Sequence, residues 1–240
     1  MLLKDISFLT PEENILFDDV LLHLAEQGTI ADTLRFWESD KMFVVLGRTG
    51  KLHEDVYIDR AKDANLQVLR RSSGGGTVIQ GPGCVNFTLV LSKKYHPDIQ
   101  DLRKSYRFIL GKIITALDIL GVKAVFKPIS DLALLNNEKK ISGNAQHRGR
   151  NYILHHGTLL YNFDLGMIEK FLKIPRDVPD YRAGRSHLEF VSNIPLNPGV
   201  IKKEIRNVFE IDHEKNFLTP PEEECLKKFR ETRKIAVNLD

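Results

Sequence analysis

The sequence predicts an α+β fold, built from mixed, largely antiparallel sheets with helices packed on them. Two observations lead to this class: short apolar strands bounded by turn residues begin early in the chain, and several of them can pair through hairpins, with amphipathic helices between them. No repeat, low-complexity tract or Pro/Gly/Ser-rich linker divides the 240 residues. We therefore expect a single domain over residues 1–240, with a helical C-terminal segment at about residues 197–240.

The first helix is marked by its capping signals. Thr10 precedes Pro11 as a cap residue, and Glu13 completes the spacing of a capping box. Apolar side chains then recur on one face of the helix. Gly28 is expected to end it.

The remaining elements follow from hydrophobic periodicity and turn residues. Strands are predicted at residues 33–37, 42–46, 67–70, 77–79, 86–91, 124–127, 131–136, 138–144 and 152–161. A second long helix is predicted over residues 101–120, and shorter amphipathic stretches at residues 165–172, 200–209 and 221–233. The pair Asn136-Asn137 suits a tight hairpin, because asparagine tolerates a positive φ.

Composition and charge exclude several classes of protein. Lys and Arg number 35 against 32 Asp and Glu, and a formal net charge of +3 is too small to indicate nucleic acid as the main partner. The two cysteines, Cys84 and Cys225, form no CxxC pattern, so a reducing, cytoplasmic location is expected. The N-terminus lacks the apolar core of a signal peptide, and no run approaches ~20 apolar residues, so we expect no contact with a membrane.

Residues 70–77, which read RRSSGGGT, form the first candidate site. Three glycines after a strand let the backbone approach a ligand closely and present amide N–H groups to it. Arg70 and Arg71 offer donors to a carboxylate or phosphate. The alternative is a flexible loop with surface arginines, since short motifs are weak signals. Residues 47–51, GRTGK, resemble a Walker A loop, but the spacing is short and Leu52 replaces the Ser/Thr that would hold Mg²⁺.

Two further segments carry polar groups on predicted strands. Lys140 opens the segment KISGNAQ and could place its ammonium at a developing negative charge. Taken alone, a solvated edge-strand lysine is the favoured interpretation, since most lysines are solvated. His155 and His156 are adjacent on a strand and point to opposite faces, which makes them a poor metal chelate. Structural hydrogen bonding, with Gly157 allowing a close approach, is favoured there.

Together the segments RRSSGGGT, KISGNAQ and LHHGTLLYNFDL closely resemble the lipoate–protein ligase A family, within the biotin/lipoate ligase and octanoyltransferase superfamily. Weaker similarity extends over roughly residues 14–193. The set of motifs is specific to the family, whereas the single pieces are not. The resemblance implies a class II biotin/lipoate ligase-like catalytic domain.

The resemblance implies an enzyme that uses ATP and Mg²⁺ to convert lipoate into lipoyl-AMP. The lipoyl group then passes to a lysine of a carrier domain, of the 2-oxoacid dehydrogenase E2 or glycine cleavage H protein type. Lys140 matches the family's essential lysine and is expected to hold carboxylate and phosphate oxygens. Asp131 matches an acidic position that places Mg²⁺ or the adenylate, and a turn-capping carboxylate is the alternative. The residues implied to bind substrate or adenylate are Arg70, Arg71, Ser73, Gly74, Gly75, Gly76, Thr77, Asn86, Asp131, Ser142, Gly143, His156, Gly157 and Thr158.

The lipoyl tail is apolar and needs an apolar slot. Residues 78–79 and 87–91 are expected to line it. Asn86 would face the slot by strand alternation if Thr88 does.

The chain departs from the family pattern in two places. Family ligases usually carry a C-terminal accessory domain, which we do not expect here, so a separate accessory subunit is an expected candidate partner. The segment after the glycines, residues 77–83, lacks the histidine that many of these ligases have. Any role of that histidine is therefore not carried over.

Three alternatives stay open. An octanoyl or lipoyl transferase would act from an acyl-carrier thioester without ATP, through a cysteine before the lysine strand or after the His-Gly strand. Residues 127–131 and 173–177 contain no cysteine, and Cys84 is interpreted as a small apolar residue in a tight loop. A biotin ligase is disfavoured because its GRGRxGR-type loop is missing. A non-catalytic scaffold is disfavoured because Lys140 accompanies an intact glycine tract.

Overall fold

The computed structural model of the protein describes residues 1–239, so Asp240, the last residue of the predicted domain, lies outside the described residues. Within residues 1–239 the strands are β1 (Leu2–Asp5), β2 (Thr33–Trp37), β3 (Phe43–Leu46), β4 (Gln67–Arg70), β5 (Val78–Gln80), β6 (Cys84–Ser92), β7 (Ala124–Lys127), β8 (Asp131–Leu134), β9 (Lys140–Arg148), β10 (Tyr152–Leu160) and β11 (His213–Glu214). The helices are α1 (Pro11–Glu26), α2 (Leu52–Asp55), α3 (Ile58–Asp63), α4 (Leu102–Ile119), α5 (Gly166–Phe171), α6 (His187–Phe190), α7 (Pro198–Val208) and α8 (Pro220–Thr232), with 3₁₀ turns at Pro97–Gln100 and Asp180–Arg182. None of the helices in this part of the chain has the length and apolar character needed to cross a bilayer.

The strands form two sheets. The large sheet has the order β11-β1-β2-β6-β10-β9-β8-β7, and the small sheet has the order β4-β3-β5. Among the described residues the parallel neighbours are β1 with β2, β1 with β11, and β3 with β4. The other neighbouring strands run antiparallel. The predicted α+β class, with mixed and largely antiparallel sheets, is therefore confirmed.

Helix α1 begins where its capping signals predict. The Thr10 side chain accepts a hydrogen bond from the backbone N–H of Glu13, and its hydroxyl donates to the Glu13 carboxylate at 2.7 Å. The helix ends at Glu26, and Gly28 follows with a φ of 75°. Glycine reaches this left-handed conformation at no steric cost, so it suits the end of a helix.

Helices cover both faces of the large sheet. On one face α4 and α7 pack their apolar sides against the alternate apolar residues of β2, β6 and β10. On the other face α1 lies between the sheet and α8, and the small sheet packs beside it on the ends of β2, β6 and β10. The glycine tract follows β4 of the small sheet, so it reaches the same face as α1.

The chain after α8 returns to the small sheet. We call residues 233–237 the C-terminal arm. The backbone N–H of Arg70 donates to the carbonyl of Ile235 at 2.8 Å, and the N–H of Val237 donates to the carbonyl of Val68 at 2.8 Å. The arm thus covers the free edge of β4, the strand that leads into the glycine tract.

Several predicted elements need correction. The segment from residue 197 is only partly helical, because β11 separates α7 from α8 and the arm is extended. The predicted Asn136-Asn137 hairpin is wider than two residues. Strand β8 ends at Leu134 and β9 begins at Lys140, and the residue with positive φ between them is Glu138 at 55°. Strands β1 and β11 and the short helices α2, α3 and α6 were not predicted, since short segments carry little periodicity.

Strand β1 is joined to α8 by a buried ion pair. The Lys4 ammonium lies 2.9 Å from the Glu222 carboxylate and donates to the carbonyl of Phe217 at 3.1 Å, and both charged side chains are almost completely buried. We expect Lys4→Met to lower the free energy of unfolding by about 3–5 kcal/mol, because it leaves a buried carboxylate without its cation. Urea denaturation measures the change.

The exposed Lys215 supplies the control. Lys215→Met should change the free energy of unfolding by no more than about 0.5 kcal/mol. The double variant Lys4→Met/Glu222→Gln should recover part of the loss, because the neutral amide costs less to bury than an unpaired carboxylate. A Lys4→Met variant as stable as the Lys215→Met control would contradict a stabilising role for the pair.

Candidate functional site

The glycine loop, residues 70–77, connects the end of β4 to β5 and is folded around the Arg71 side chain. The buried Arg71 guanidinium donates to the carbonyls of Gly74 and Gly76 at 2.7 and 2.8 Å, and its Nε donates to the Ser73 hydroxyl at 3.0 Å. Burial lowers the pKa of Arg71 to about 10, which still leaves it charged at neutral pH. Arg71 therefore fixes the curvature of the loop.

Two glycines allow the loop its close contacts. Gly75 has a φ of 83°, and a Cβ added to it would lie 3.1 Å from the Arg71 Nη2 and 3.6 Å from the Cβ of Ala145 on β9. A Cβ on Gly47 would lie 2.1 Å from the carbonyl oxygen of Gly75. Gly75 thus lies against β9 of the large sheet in a left-handed conformation that favours glycine, and Gly47 leaves room for the loop backbone where a Cβ would clash.

Arg70 and Thr77, the first and last residues of the loop, form hydrogen bonds with segments outside it. Arg70 Nη1 donates to the carbonyls of Gly47 and Gly50 at 2.9 and 2.7 Å. The Thr77 hydroxyl donates to the Asp55 carboxylate at 2.6 Å. These contacts tie the ends of the loop to α2 and to the segment between β3 and α2.

The predicted catalytic lysine lies on the same face of the large sheet. The Lys140 ammonium is 2.8 Å from Asp131 Oδ1, and the Tyr181 hydroxyl donates to Asp131 Oδ2 at 2.8 Å. A Cβ on Gly143 would lie 3.2 Å from the Lys140 Nζ, so the lysine side chain folds back over this glycine. Its side chain is 27% exposed. Lys140 is thus a held, partly shielded cation and not a solvated edge residue.

Strand alternation places further predicted residues on this face. His156 on β10 is opposite Thr88 on β6 and Ala145 on β9, and Thr158 is opposite Asn86 and Gly143. Side chains of directly paired residues share a face, so these side chains and Lys140 face the same space. The Thr88 hydroxyl faces α1, where it donates to Asp18, so Asn86, on the same side of β6, also lies on this face of the sheet.

A chain of hydrogen bonds joins the two sheets beside this face. The Gln80 side-chain amide donates to the Thr158 hydroxyl at 2.7 Å, and that hydroxyl donates to Asn86 Oδ1 at 2.6 Å. Among residues 1–239, the buried Asn86 Nδ2, Gln80 Oε1 and Trp37 Nε1 make no hydrogen bond. Buried polar atoms of this kind are normally satisfied, so they are suited to the polar groups of a ligand.

Other predicted residues lie on the opposite face of the sheet. Ser142 is buried and its hydroxyl accepts from the Asn144 side chain at 3.2 Å. A Cβ on Gly157 would lie 1.9 Å from Asn144 Oδ1 and 2.5 Å from the Phe87 ring, so this glycine makes room for the packing of that face. The structure therefore does not bring Ser142 toward Lys140.

The histidine pair is divided between the faces as predicted. His155 stacks on Phe87 and meets the Tyr106 ring edge-on, with ring centroids 6.2 and 5.2 Å apart. Burial lowers the pKa of His155 to about 3, so its imidazole is neutral. Phe87, Leu89 and Leu91 pack on this same face against α4, so only the alternate residues of β6 face the glycine loop.

His156 belongs to a hydrogen-bonded series that reaches the glycine loop. Its Nε2 lies 2.7 Å from the Ser73 hydroxyl, and its Nδ1 lies 3.3 Å from Asp18 Oδ2. Arg35 Nη1 donates to Asp18 Oδ1 at 2.7 Å, and the Thr88 hydroxyl donates to Oδ2 at 2.9 Å. Burial disfavours the charged form of Asp18 and so raises its pKa. Arg35 and His156 together have the larger effect, and the pKa of this carboxyl is lowered.

A second series holds the preceding serine. The Ser72 hydroxyl donates to Asp19 Oδ1, and His147 Nδ1 lies 3.0 Å from the Ser72 oxygen. Arg233 of the C-terminal arm donates to Asp19 Oδ2 at 3.0 Å. Burial raises the pKa of Asp19, and the bonds from Ser72 and Arg233 only partly oppose it.

Sequence reasoning missed the groups that hold the site. Asp18, Asp19 and Tyr181 were not singled out. One signal could have found the first two: two consecutive acids lie within the apolar face of α1, where carboxylates are rare without partners. No local pattern marks Tyr181.

The predicted Mg²⁺ role of Asp131 has limited geometric support. Both carboxylate oxygens of Asp131 already have partners, Lys140 and Tyr181. Within residues 1–239, no group of three or more His, Cys, Asp or Glu side chains is arranged to hold a metal ion. A divalent cation at this site would need most of its ligands from phosphate oxygens and water, as Mg²⁺ often does.

Known proteins resemble this chain in sequence and in fold. The family model for the lipoyl protein ligase A/B catalytic domain matches residues 10–205. The octanoyltransferase LipM of Oceanobacillus iheyensis is 26% identical over 220 residues, covering 84% of this chain and 80% of the relative. The chain spans about half the length of several curated lipoate-protein ligase A relatives.

Solved structures share the fold. A bi-partite lipoate protein ligase of Thermoplasma acidophilum, studied with its E2 lipoyl domain, superposes with a TM-score of 0.80 at 24% identity over 96% of this chain and 91% of that one. A lipoate-protein ligase A bound with ATP superposes with a TM-score of 0.80 at 23% identity over 96% of this chain and 94% of that one. The predicted ligase-like fold of the catalytic domain is therefore confirmed.

Cys84 begins β6 and is fully buried, and burial raises the pKa of its thiol to about 12. We expect iodoacetamide to leave Cys84 unmodified in the folded protein between pH 7 and 9. At pH 8 a thiol with this pKa is ionised in roughly one molecule in ten thousand, whereas an exposed cysteine, with a pKa of about 8.5, is substantially ionised. Intact mass and peptide mapping follow the modification.

Protein unfolded in urea is the control, because both cysteines should then react. Mapping separates Cys84 from Cys225, which is also buried and whose pKa burial also raises. Rapid labelling of Cys84 in the folded protein at pH 8 would return the thiol to consideration as a nucleophile.

Proposed function

The chain belongs to the lipoyl protein ligase A/B catalytic domain family, and from this premise we propose that it is an ATP-dependent lipoate–protein ligase. It would activate lipoate to lipoyl-AMP and transfer the lipoyl group to a lysine of a carrier domain. The observation that carries the proposal is the Lys140 ammonium, held by Asp131 on the face covered by the glycine loop, while the nearby thiol of Cys84 is buried and protonated.

Lys140 suits both chemical steps. In the first, a carboxylate oxygen of lipoate bonds to the α-phosphorus of ATP and the bond to pyrophosphate breaks. In the second, the carrier amine bonds to the acyl carbon and AMP leaves with the electron pair of the broken C–O bond. Negative charge lies on phosphate oxygens in both steps, and a fixed ammonium in a partly shielded site stabilises it. Lys140 itself would not be acylated.

The loop and the strands around Lys140 would supply binding and protection from water. Amides of Gly74, Gly75 and Gly76 lie in the loop that Arg71 curves, where backbone N–H groups can meet anionic oxygens. The unpartnered amide nitrogen of Asn86 is a donor beside Thr158. A mixed anhydride hydrolyses readily, so a loop lying on β9 is a suitable cover.

We propose that Mg²⁺ enters with ATP, held mainly by the phosphates, with Asp131 as a neighbouring carboxylate. The carrier would be a lipoyl domain of the E2 type or an H protein. The bi-partite ligase from Thermoplasma acidophilum, studied with its E2 lipoyl domain, supports both this partner class and a separate accessory subunit. One catalytic domain over residues 1–240 and a cytoplasmic location remain part of the proposal.

The second candidate is an octanoyl or lipoyl transferase that takes the acyl group from a carrier thioester without ATP. The similarity to the octanoyltransferase LipM over 80% of its length favours it. A thioester route through this chain would need a reactive thiol, and the surroundings of Cys84 oppose ionisation.

The discriminating experiment is an intact-mass assay of a lipoyl-domain acceptor. We expect a lipoyl mass increment with protein, lipoate, Mg²⁺ and ATP, and no increment when ATP is omitted. A parallel reaction with octanoyl-carrier protein and no ATP should give no transfer. Octanoyl transfer in that reaction would instead establish the transferase. If neither reaction proceeds, preformed lipoyl-AMP tests transfer alone, and its success would place the deficiency in activation and point to a missing accessory subunit.

Lys140→Ala should lower the rate of both adenylate formation and transfer by at least about a hundredfold, because it removes the cation that stabilises phosphate charge. Pyrophosphate exchange and transfer from preformed lipoyl-AMP measure the two steps separately. The matched control is Lys139→Ala, which changes the adjacent lysine and should retain activity. Equal activity of the two variants would remove Lys140 from the mechanism.

A further inference from the structure

Two consecutive aspartates of α1 reach two consecutive serines of the glycine loop. Asp18 and Asp19 are 2% and 8% exposed, and Ser72 and Ser73 directly precede the three glycines. We propose that Asp18 and Asp19 are positioning residues that fix the glycine loop through Ser73 and Ser72, with the C-terminal arm holding Asp19. The inference rests on the proposed function, in which this loop encloses the acyl-adenylate.

The Asp19 branch is direct. The Ser72 hydroxyl donates a hydrogen bond to Asp19 Oδ1, so His147 Nδ1, 3.0 Å from the Ser72 oxygen, must be an N–H donor to that oxygen. Ser72 is therefore held from α1 on one side and from β9 on the other. Arg233 donates to the second oxygen of Asp19 at 3.0 Å, so Asp19 in turn is held by the C-terminal arm.

The arm reaches the loop by a second route. Its residues pair with β4, and the N–H of Arg70, the first residue of the loop, donates to the carbonyl of Ile235. The same five-residue segment thus holds the backbone at the start of the loop and the carboxylate that binds Ser72.

The Asp18 branch acts through a histidine. The Asp18 carboxylate can only accept, so His156 Nδ1 is the N–H donor to its Oδ2, which leaves Nε2, 2.7 Å from the Ser73 oxygen, as the imidazole atom that bonds Ser73. Arg71 Nε donates to the same hydroxyl oxygen at 3.0 Å. The hydrogen bond to Asp18 thus selects the imidazole nitrogen of His156 that remains to bond Ser73.

A serine, a histidine and an aspartate in series also describe a nucleophile with its base, but the surroundings of Ser73 point to positioning. Ser73 is 1% exposed, and its hydroxyl oxygen accepts from the charged Arg71 guanidinium. The series therefore anchors the loop. Three glycines have large conformational freedom, and anchors on the two preceding residues restrict it where reacting groups need a fixed geometry.

Hydrogen exchange of the glycine loop in the full-length, ligand-free chain tests the anchors without reference to activity. Asp19→Asn should speed exchange of the loop amides by about tenfold or more, because it weakens a hydrogen bond to a charged group. Ser72→Ala should do the same, and the double variant should exchange no faster than Ser72→Ala alone. Asp18→Asn and Ser73→Ala should each also speed exchange of the loop amides, but because Asp18 also pairs with the buried Arg35, the double variant is compared only for the Asp19 and Ser72 branch.

The matched control is Glu26→Gln, at the other end of α1. Its carboxylate accepts from the backbone of Asn151 and Tyr152 and does not contact the loop, so loop exchange should be unchanged. Should Asp19→Asn fail to fold, Arg233→Gln changes the same anchor from the partly exposed arm and should also speed exchange of the loop. Unchanged loop exchange in folded Asp19→Asn, or additive effects of Asp19→Asn and Ser72→Ala, would overturn the proposal.

The values of kcat and KM distinguish positioning of the loop from a role in folding stability alone. In the Asp18→Asn and Asp19→Asn variants, kcat for lipoyl transfer should fall about tenfold to a hundredfold while KM for the carrier domain stays within about twofold. A proportional loss of active protein, with the remaining fraction at full rate, would show a stability defect only and contradict positioning. If the unmodified chain transfers no lipoyl group, the proposed function fails, while the exchange experiment still decides whether the aspartates anchor the loop.

Discussion

The buried pair of Asp18 and Arg35 joins α1 to the large sheet, and the arrangement of the site depends on it. Arg35 is fully buried and donates to the carbonyls of Ile6 and Asn14 as well as to the Asp18 carboxylate. Its guanidinium carbon also lies 4.9 Å from the centre of the Phe17 ring. A buried ion pair is tolerated only when its remaining donors and acceptors are satisfied, and here they are. The pair sets the rotation of α1, and so presents Asp18 and Asp19 toward the glycine loop.

Strand β10 shows how one element serves both packing and chemistry. Its alternate residues face the apolar layer under α4 on one side and the glycine loop on the other. His155 is neutral and surrounded by aromatic rings, whereas the next residue, His156, joins Asp18 to Ser73. Two identical neighbours thus have different roles because the strand places them in different environments.

The elements that could be predicted from sequence are those determined locally. The cap of α1, the long helix α4 and most strands follow from periodicity and turn residues, and the glycine tract and Lys140 could be identified from the three motifs taken together. The partners of those groups could not. Tyr181 lies 50 residues from Asp131, and Lys4 lies 218 residues from Glu222. Read alone, Lys4 is a solvated residue near a chain end, and only the tertiary fold makes it a buried cation.

The two arginines of the loop illustrate the same limit. Their charge and position predict contacts with an anionic ligand, yet their guanidinium groups donate to backbone carbonyls of Gly47, Gly50, Gly74 and Gly76. The carbonyls of a glycine-rich loop have no hydrogen-bond partners within a helix or strand, so other donors must satisfy them when they are buried. Sequence identifies the donors, but the acceptors become known only when the loop is folded.

The contacts of Asp131 explain how Lys140 can serve a ligand without disrupting the site. In the ligand-free chain the ammonium is paired with Asp131, so an incoming phosphate or carboxylate oxygen must share it or draw it away. A buried carboxylate that lost its sole partner would be costly. Asp131 keeps the Tyr181 hydroxyl as a second partner, and burial together with the Asp131 charge raises the pKa of that phenol, so it remains a donor at neutral pH. The lysine can therefore turn toward developing charge while its counter-ion stays hydrogen-bonded, a property that a solvated surface lysine would not have.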